Sequence, residues 1–266
     1  SMKLNIVPAR TGLLWVRLGI RTFFRQPLAM TGLFFLFLTI MSLAQLVPLV
    51  GLALTMALLP ACTLGFMAAA READAGKFPM PMVFLSALRA GRQQLGAMLT
   101  LGLMYGAGLW LIIGITSLVD GGTFASGYIA GTTSPVDIAR TPDLWPGFLT
   151  FLALQLPLSL MFWHAPALVH WHGIAPAKSL FFSLVACMRN FWAFTVFGLA
   201  WVGIMVALVQ LVYLLAGPIG SPPLAGMVFV PGTLMITAMI MTSTYFTFRD
   251  CFQTTDETKD EPTLPA

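Results

Sequence analysis

Three histidines, His164, His170 and His172, carry the only side chains of the sequence with an ordinary pKa near neutrality, and all lie between positions 164 and 172. A metal site on a helix needs ligands three or four positions apart on one face. Here the gaps are six and two, and no Asp, Glu or Cys stands close enough in sequence to complete a set. His170 and His172, in Val169-His-Trp-His-Gly173, read as interfacial residues. His164, beside Trp163, is set deepest in an apolar stretch, and an ionisable group at membrane depth is a functional candidate. The alternative is a neutral imidazole hydrogen-bonded between helices.

Cys62, Cys187 and Cys251 are odd in number and unrelated in spacing, so neither a disulfide framework nor a Cys-x-x-Cys redox or metal site is expected. They read as small buried hydrophobes. Gly-x-Ser-x-Gly, His-Glu-x-x-His and a phosphate-binding loop are all absent. Acidic residues are confined to loops and the C-terminal tail. Glu72, Asp74 and Asp250 come nearest to the apolar stretches, and opposite Arg71 and Arg249 they should form exposed ion pairs worth under about 1 kcal/mol each. No catalytic residue, metal or cofactor is predicted, and the chain reads as non-enzymatic.

Uncharged polar side chains do occur in the apolar stretches: Gln45, Gln155, Gln210, Thr55, Thr237 and Thr242-Ser-Thr244. Pro60, Pro157, Pro166 and Pro231 interrupt the same regions. Kinks that expose carbonyls beside His164, Gln155 and Gln210 would suit the cavity of a small transporter or lipid-handling carrier. The other reading is that glutamines and threonines hydrogen-bond across helices and the prolines bend them. No buried charge is available to couple to an ion gradient, and no ring of carboxylates suggests a channel.

These residues sit in a chain that is 58% apolar and 9% charged, with mean hydropathy +0.87. Soluble domains carry about 25% charged residues, so a water-soluble fold is excluded. A disordered chain, a disulfide scaffold and a nucleic-acid binder are excluded as well, because the basic residues cluster between long uncharged runs. A helix needs roughly 20 apolar residues to cross a bilayer core of about 30 Å. Six stretches qualify, at 28–47, 49–70, 95–118, 147–169, 190–216 and 224–247, none with Asp, Glu, Lys or Arg. The first and third pairs have short links and should be tight hairpins; the middle pair encloses an outer loop, 119–146. Thirteen of the 14 Lys and Arg residues fall on the side that holds both termini, and Arg140 alone falls on the other. The positive-inside rule then places both termini in the cytoplasm. Trp15, Trp145, Trp163 and Trp171 are expected near the interfaces. Ser1 ahead of Met2 reads as an added residue. Residues 2–26, studded with arginine, do not read as a cleaved signal peptide, and 253–266 reads as a disordered, solvated tail.

A pattern recurs before each odd-numbered span: Arg25-Gln-Pro-Leu-Ala29, Arg92-Gln-Gln-Leu-Gly96 and Arg189-Asn-Phe-Trp-Ala193. Between the second and third copies Pro79 aligns with Pro176, Phe84 with Phe181 and Ser86 with Ser183, at a constant spacing of 97. Fixed-offset similarity predicts repeated architecture, here three units at about 8–70, 79–172 and 176–250, each an amphipathic helix followed by a hairpin. In the first, at about 100° per residue, Arg10, Arg17, Arg21 and Arg25 share an arc of roughly 80°, with Trp15, Val16, Ile20 and Phe23 opposite. Such a helix would lie in the head-group plane, arginines against anionic lipid and aromatics in the acyl boundary. Segments 80–91 and 176–188 are weaker versions. Arg10, Arg17, Arg21, Arg25, Arg92 and Arg189 are therefore the candidate lipid- or partner-binding residues.

The lead-ins Arg25-Gln-Pro-Leu28 and Arg189-Asn190, with the ending Thr247-Phe-Arg-Asp-Cys-Phe252, resemble those of the BPSS-type family of six-span inner-membrane proteins of β-proteobacteria. The membrane domain attached to some glycerophosphodiester phosphodiesterases is more distantly similar. The resemblance spans nearly the whole chain through short, degenerate motifs; it implies a six-span inner-membrane protein and brings no catalytic residue with it. The expected fold is all-α, six transmembrane helices in three hairpins. The expected role is a scaffold or accessory subunit that engages anionic lipid and a membrane protein complex, with a small transporter as the alternative.

Overall fold

Lipid offers no hydrogen bonds, so each uncharged stretch must satisfy its N–H and C=O groups within itself, and helices are the outcome. The computed structural model describes residues 2–254. In chain order it runs β1 (Met2–Leu4), α1 (Thr11–Arg25), α2 (Pro27–Gln45), α3 (Gly51–Asp74), a 3-10 turn at Pro81–Leu85, α4 (Ser86–Arg89), α5 (Arg92–Asp120), α6 (Thr123–Ala130), α7 (Pro135–Arg140), a second 3-10 turn at Pro142–Leu144, α8 (Trp145–Trp163), α9 (Ala165–His172), α10 (Pro176–Arg189), α11 (Phe191–Ala216), α12 (Pro222–Cys251) and β2 (Phe252–Thr254). Six segments are long and apolar enough to cross a membrane: α2, α3, α5, α8 together with α9, α11 and α12. The all-α, six-span architecture is thus the one observed.

Strands β1 and β2 pair antiparallel with Lys3 opposite Gln253, so the two ends of the described chain meet at one end of the bundle. That corrects the expectation of a solvated tail from Gln253 onward, because Gln253 and Thr254 belong to this ladder. The acidic part of that tail, with Asp256, Glu257, Asp260 and Glu261, lies outside the described residues, as does Ser1.

A shorter helical piece precedes each pair of spans in chain order, but the three pieces differ. Over 80–91 the expected amphipathic helix is reduced to a 3-10 turn and one α turn. Proline at 79 and 81 keeps Met80 extended, and Gly91, at φ 106°, ends the segment in a conformation closed to other residues.

The central element is α3, which packs against α1, α2, α5, α9 and α12. Its small residues permit this: Ala57 receives the α5 backbone at Gly102 so closely that a Cβ on that glycine would run into the Ala57 carbonyl. By contrast α11 fully buries only Ala193, Phe197, Trp201 and Ala216, packing one side on α1 and α12 and leaving apolar residues such as Leu199, Val206 and Leu214 exposed.

A larger correction concerns α1. Its apolar face does not rest in an acyl boundary; it is filled by protein, with Trp15, Val16 and Phe23 buried against α11, α12 and α3. The reason is steric. A Cβ on Gly12 would collide with the Ala193 carbonyl and one on Gly19 would come within 2.5 Å of Ser243 Cβ, so these glycines let α1 lie backbone-close across α11 and α12.

Candidate functional site

With its apolar face occupied, α1 turns Arg10, Arg17, Arg21 and Arg25 outward, accompanied by Leu13, Leu14 and Phe24. Its far end is tied down by a chain of polar contacts. The Trp15 indole donates to Asp250 Oδ2 at 2.8 Å, and Asp250 Oδ1 accepts from Arg249 Nε at 3.1 Å. Arg249 reaches Asp74 Oδ2 at 3.7 Å, and Arg25 donates to the Asp74 carbonyl at 2.9 Å. Three helices, α1, α3 and α12, thereby share one alternation of charges. Of the six arginines singled out in the sequence, Arg25 is partly spent within the fold. Arg10, Arg17, Arg21, Arg92 and Arg189 are exposed and, among the described residues, have no carboxylate within ion-pair range. Arg92 opens α5 and Arg189 closes α10. Of the ion pairs expected opposite Arg71 and Arg249, those of Arg249 with Asp74 and Asp250 form, whereas Arg71 has none among the described residues and lies over Trp171, its guanidinium carbon 5.4 Å from the ring centroid.

His164 is fully buried at the junction of α8 and α9. Pro166 lacks an amide hydrogen and favours a break there. Across the break the His164 N–H, instead of bonding the Leu160 carbonyl four residues earlier, donates to Ser183 Oγ at 2.9 Å. The same hydroxyl donates to the Leu160 carbonyl at 2.7 Å. A serine from α10 is therefore inserted into the ladder of the fourth span, a recognised cause of helix kinking. On the imidazole, Nε2 lies 3.1 Å from Thr247 Oγ1. That hydroxyl also accepts from Trp163 Nε1 and gives its one proton to the Thr244 carbonyl. Nε2 must then carry the hydrogen, leaving Nδ1 a bare acceptor without a partner. Such a ring fastens α8 and α9 to α12.

The three residues expected to share a cavity are not brought together. Gln155 is half-buried between α5 and α8, its amide near Tyr105 Oη at 3.4 Å and Ser159 Oγ at 3.3 Å. Gln210 is exposed on the lipid side of α11. His170 and His172 lie near the end of α9 beside Trp171.

Sequence reasoning missed the role of one hub, Asn190, and saw a second, Asp250, only as an ion-pair partner. Asn190, buried, accepts from the Val7 amide at 2.8 Å and donates to the Asn5 carbonyl at 3.0 Å, holding the N-terminal segment beside β2. Its counterparts in the lead-in pattern do nothing similar: Gln26 is half-buried and Gln93 exposed. Asp250 is the other hub. The signal available for Asn190 was its place directly after Arg189, where a buried amide is worth looking for at the start of a span.

Against this geometry stands one relative, a probable inner membrane protein of Burkholderia thailandensis, 40% identical over 255 residues, which cover 94% of each chain. The chain belongs to that protein's family. It is a multi-pass inner-membrane protein, and the family resemblance read from the lead-ins holds at that level; no link to a phosphodiesterase comes with it. No family model and no solved structure matches the chain.

Proposed function

We propose that the protein is a non-catalytic scaffold, or the accessory subunit of a membrane complex, that engages anionic lipid through the end of the bundle carrying both termini, and that this end faces the cytoplasm. One observation carries the reading: α1 has its apolar face satisfied by protein while Arg10, Arg17 and Arg21 point outward without acidic partners among the described residues. A helix needed only for packing has no use for three aligned, uncompensated guanidinium groups. Arginines near an anionic surface contribute about 1 kcal/mol each. The flanking Leu13, Leu14 and Phe24 suit the head-group boundary, where apolar and cationic side chains are both accommodated.

The test is the combined change of Arg10, Arg17, Arg21 and Arg25 to Gln, read by native mass spectrometry after release from vesicles of mixed phosphatidylglycerol and phosphatidylcholine. Enrichment of the anionic lipid should fall by on the order of a hundredfold, from about 3 kcal/mol lost with the three uncompensated charges. Unchanged enrichment in a folded variant would overturn the reading. The transporter alternative draws less support, since His164, Gln155 and Gln210 stand apart.

A further inference from the structure

At the end of the bundle that carries the termini, α3, α9 and α12 leave two adjoining concavities that share Arg71 and Trp171. The first, about 270 Å³, is lined also by His172, Tyr245, Phe248 and Arg249. The second, about 350 Å³, adds Lys77 and His170 but has Glu72 on its wall. The first lies just below, and the second near the lower end of, the range of ligand pockets, about 300–1,000 Å³.

The first concavity has the chemistry of an anion site. Among the described residues no carboxylate lines it. Arg249, whose guanidinium carbon is 4.9 Å from the Phe246 ring centroid, is aimed by Asp250 and Asp74 behind it. Arg71 has no acid within ion-pair range among the described residues. The Trp171 indole, whose centroid is 5.4 Å from the guanidinium carbon, holds the exposed Arg71 side chain at the concavity while leaving its N–H groups able to meet two oxygens of one anion. That fork matches a phosphate better than any neutral group. Tyr245 and Phe248 supply an apolar wall beside it, suited to the glycerol and first methylenes of a lipid. Glu72 disfavours an anion in the second concavity, which leaves the first as the site.

We propose that the concavity between Arg71 and Arg249 binds a phosphate ester, either the head group of an anionic phospholipid or a soluble organic phosphate. Its lipid form rests on the reading that this end of the bundle meets an anionic leaflet; its soluble form does not.

The experiment compares wild type, Arg71→Gln, Arg71→Lys and the fourfold α1 variant in two arms. In the first, native mass spectrometry follows the last phosphatidylglycerol molecule retained as collision energy rises. In the second, thermal unfolding in neutral detergent is followed against glycerol phosphate. Arg71→Gln should weaken binding about tenfold or more in whichever arm is positive, since it removes charge-assisted hydrogen bonds. Arg71→Lys should recover part of that, keeping the charge without the fork. Retention of one lipid with no response to glycerol phosphate assigns the lipid; the reverse assigns the soluble ester. The fourfold α1 variant should keep the single tight lipid while losing bulk enrichment. If it keeps both, the scaffold reading falls and the site stands. If Arg71→Gln matches wild type in both arms, the site is overturned.

Discussion

Docking of α1 onto protein rather than lipid can be tested at Trp15. The ring has no accessible surface, lies 5.1 Å from Phe194 and 6.0 Å from Phe197 between centroids, and donates to Asp250 at 2.8 Å. Trp15→Phe keeps most of the packing and removes the donor. Loss of a hydrogen bond to a charged group costs about 1.5–3 kcal/mol, and the lower end applies here because Asp250 remains 20% exposed and water can replace the indole. Trp15→Ala empties the site as well and should cost about 3–5 kcal/mol. Leu14→Ala, one residue away on the exposed face, should cost no more than about 0.5 kcal/mol. Titration with sodium dodecyl sulfate in mixed micelles reads global stability, and thiol labelling of Val16→Cys in each background reads undocking of α1 alone. The expected order is Trp15→Ala worst, Trp15→Phe intermediate and Leu14→Ala near wild type, with the introduced thiol protected unless Trp15 is lost. If Trp15→Ala and Leu14→Ala behave alike in both assays, α1 is held by lipid and the docking argument fails.

Ser183→Ala removes the hydroxyl that bridges the broken ladder between His164 and Leu160. It should destabilise the bundle by about 1–3 kcal/mol, the cost of buried backbone groups left short of a partner, measured by the same detergent titration. Burial holds the Cys187 thiol up at about 12, far above its ordinary value, so almost no thiolate exists near neutral pH. With Cys62 and Cys251 also buried, all three thiols should resist maleimide at about pH 7.5 in the folded protein and react once it is unfolded, as counted by intact mass. Between α6 and α8, Ser134 caps α7 by accepting from the Asp137 amide, and the Asp137 carboxylate completes the capping box by accepting from the Ser134 amide and hydroxyl; the amide contact foremost holds its pKa below the ordinary carboxylate value. The cap is therefore complete above about pH 4 and is lost as pH falls through the lowered pKa. The carboxyl carbon of Asp137, followed by NMR, should titrate below that of Asp137 in the unfolded chain.

The spans were legible because exclusion of charge from lipid leaves a one-dimensional record in the chain. The six uncharged runs match the six spans, the fourth of which is α8 and α9 together. What α1 packs against was not legible. Its 3.6-residue periodicity separates Arg10, Arg17, Arg21 and Arg25 from Trp15, Val16 and Phe23 whether the apolar face meets lipid or protein. Gly12 and Gly19 decide the matter, and a glycine records close approach only once the approaching backbone is known. The site suffered likewise. Carboxylates near Arg71 and Arg249 suggested ion pairs for both, and Arg249 makes them, but Arg71 turns toward Trp171, a hundred residues on. His164 is buried, yet its contacts with Ser183 and Thr247 were not legible, because those two residues stood out only through the repeat and the chain ending and not as partners of an imidazole.

In a bilayer the apolar effect that drives soluble cores is nearly absent between helices, so close packing and hydrogen bonds must supply the specificity. The distribution of polar groups follows this division. Ser183, Thr247, Asn190 and Asp250, each bonded to more than one element, lie where α1, α9, α10, α11 and α12 converge, at the end that also carries the termini. The opposite ends of α11 and α12 present apolar surface such as Leu211, Leu214, Met227 and Val230. The end with the termini is therefore cross-tied by polar groups from several helices, whereas α11 and α12 present apolar surface at their other end. Arg71 and the α1 arginines stand on the cross-tied end, where an anion would meet side chains carried on docked backbone, so that only the side chains themselves remain to be ordered. An arginine on the lipid-packed half would have to be ordered by the ligand itself, and that difference is why the proposed contacts belong to this face.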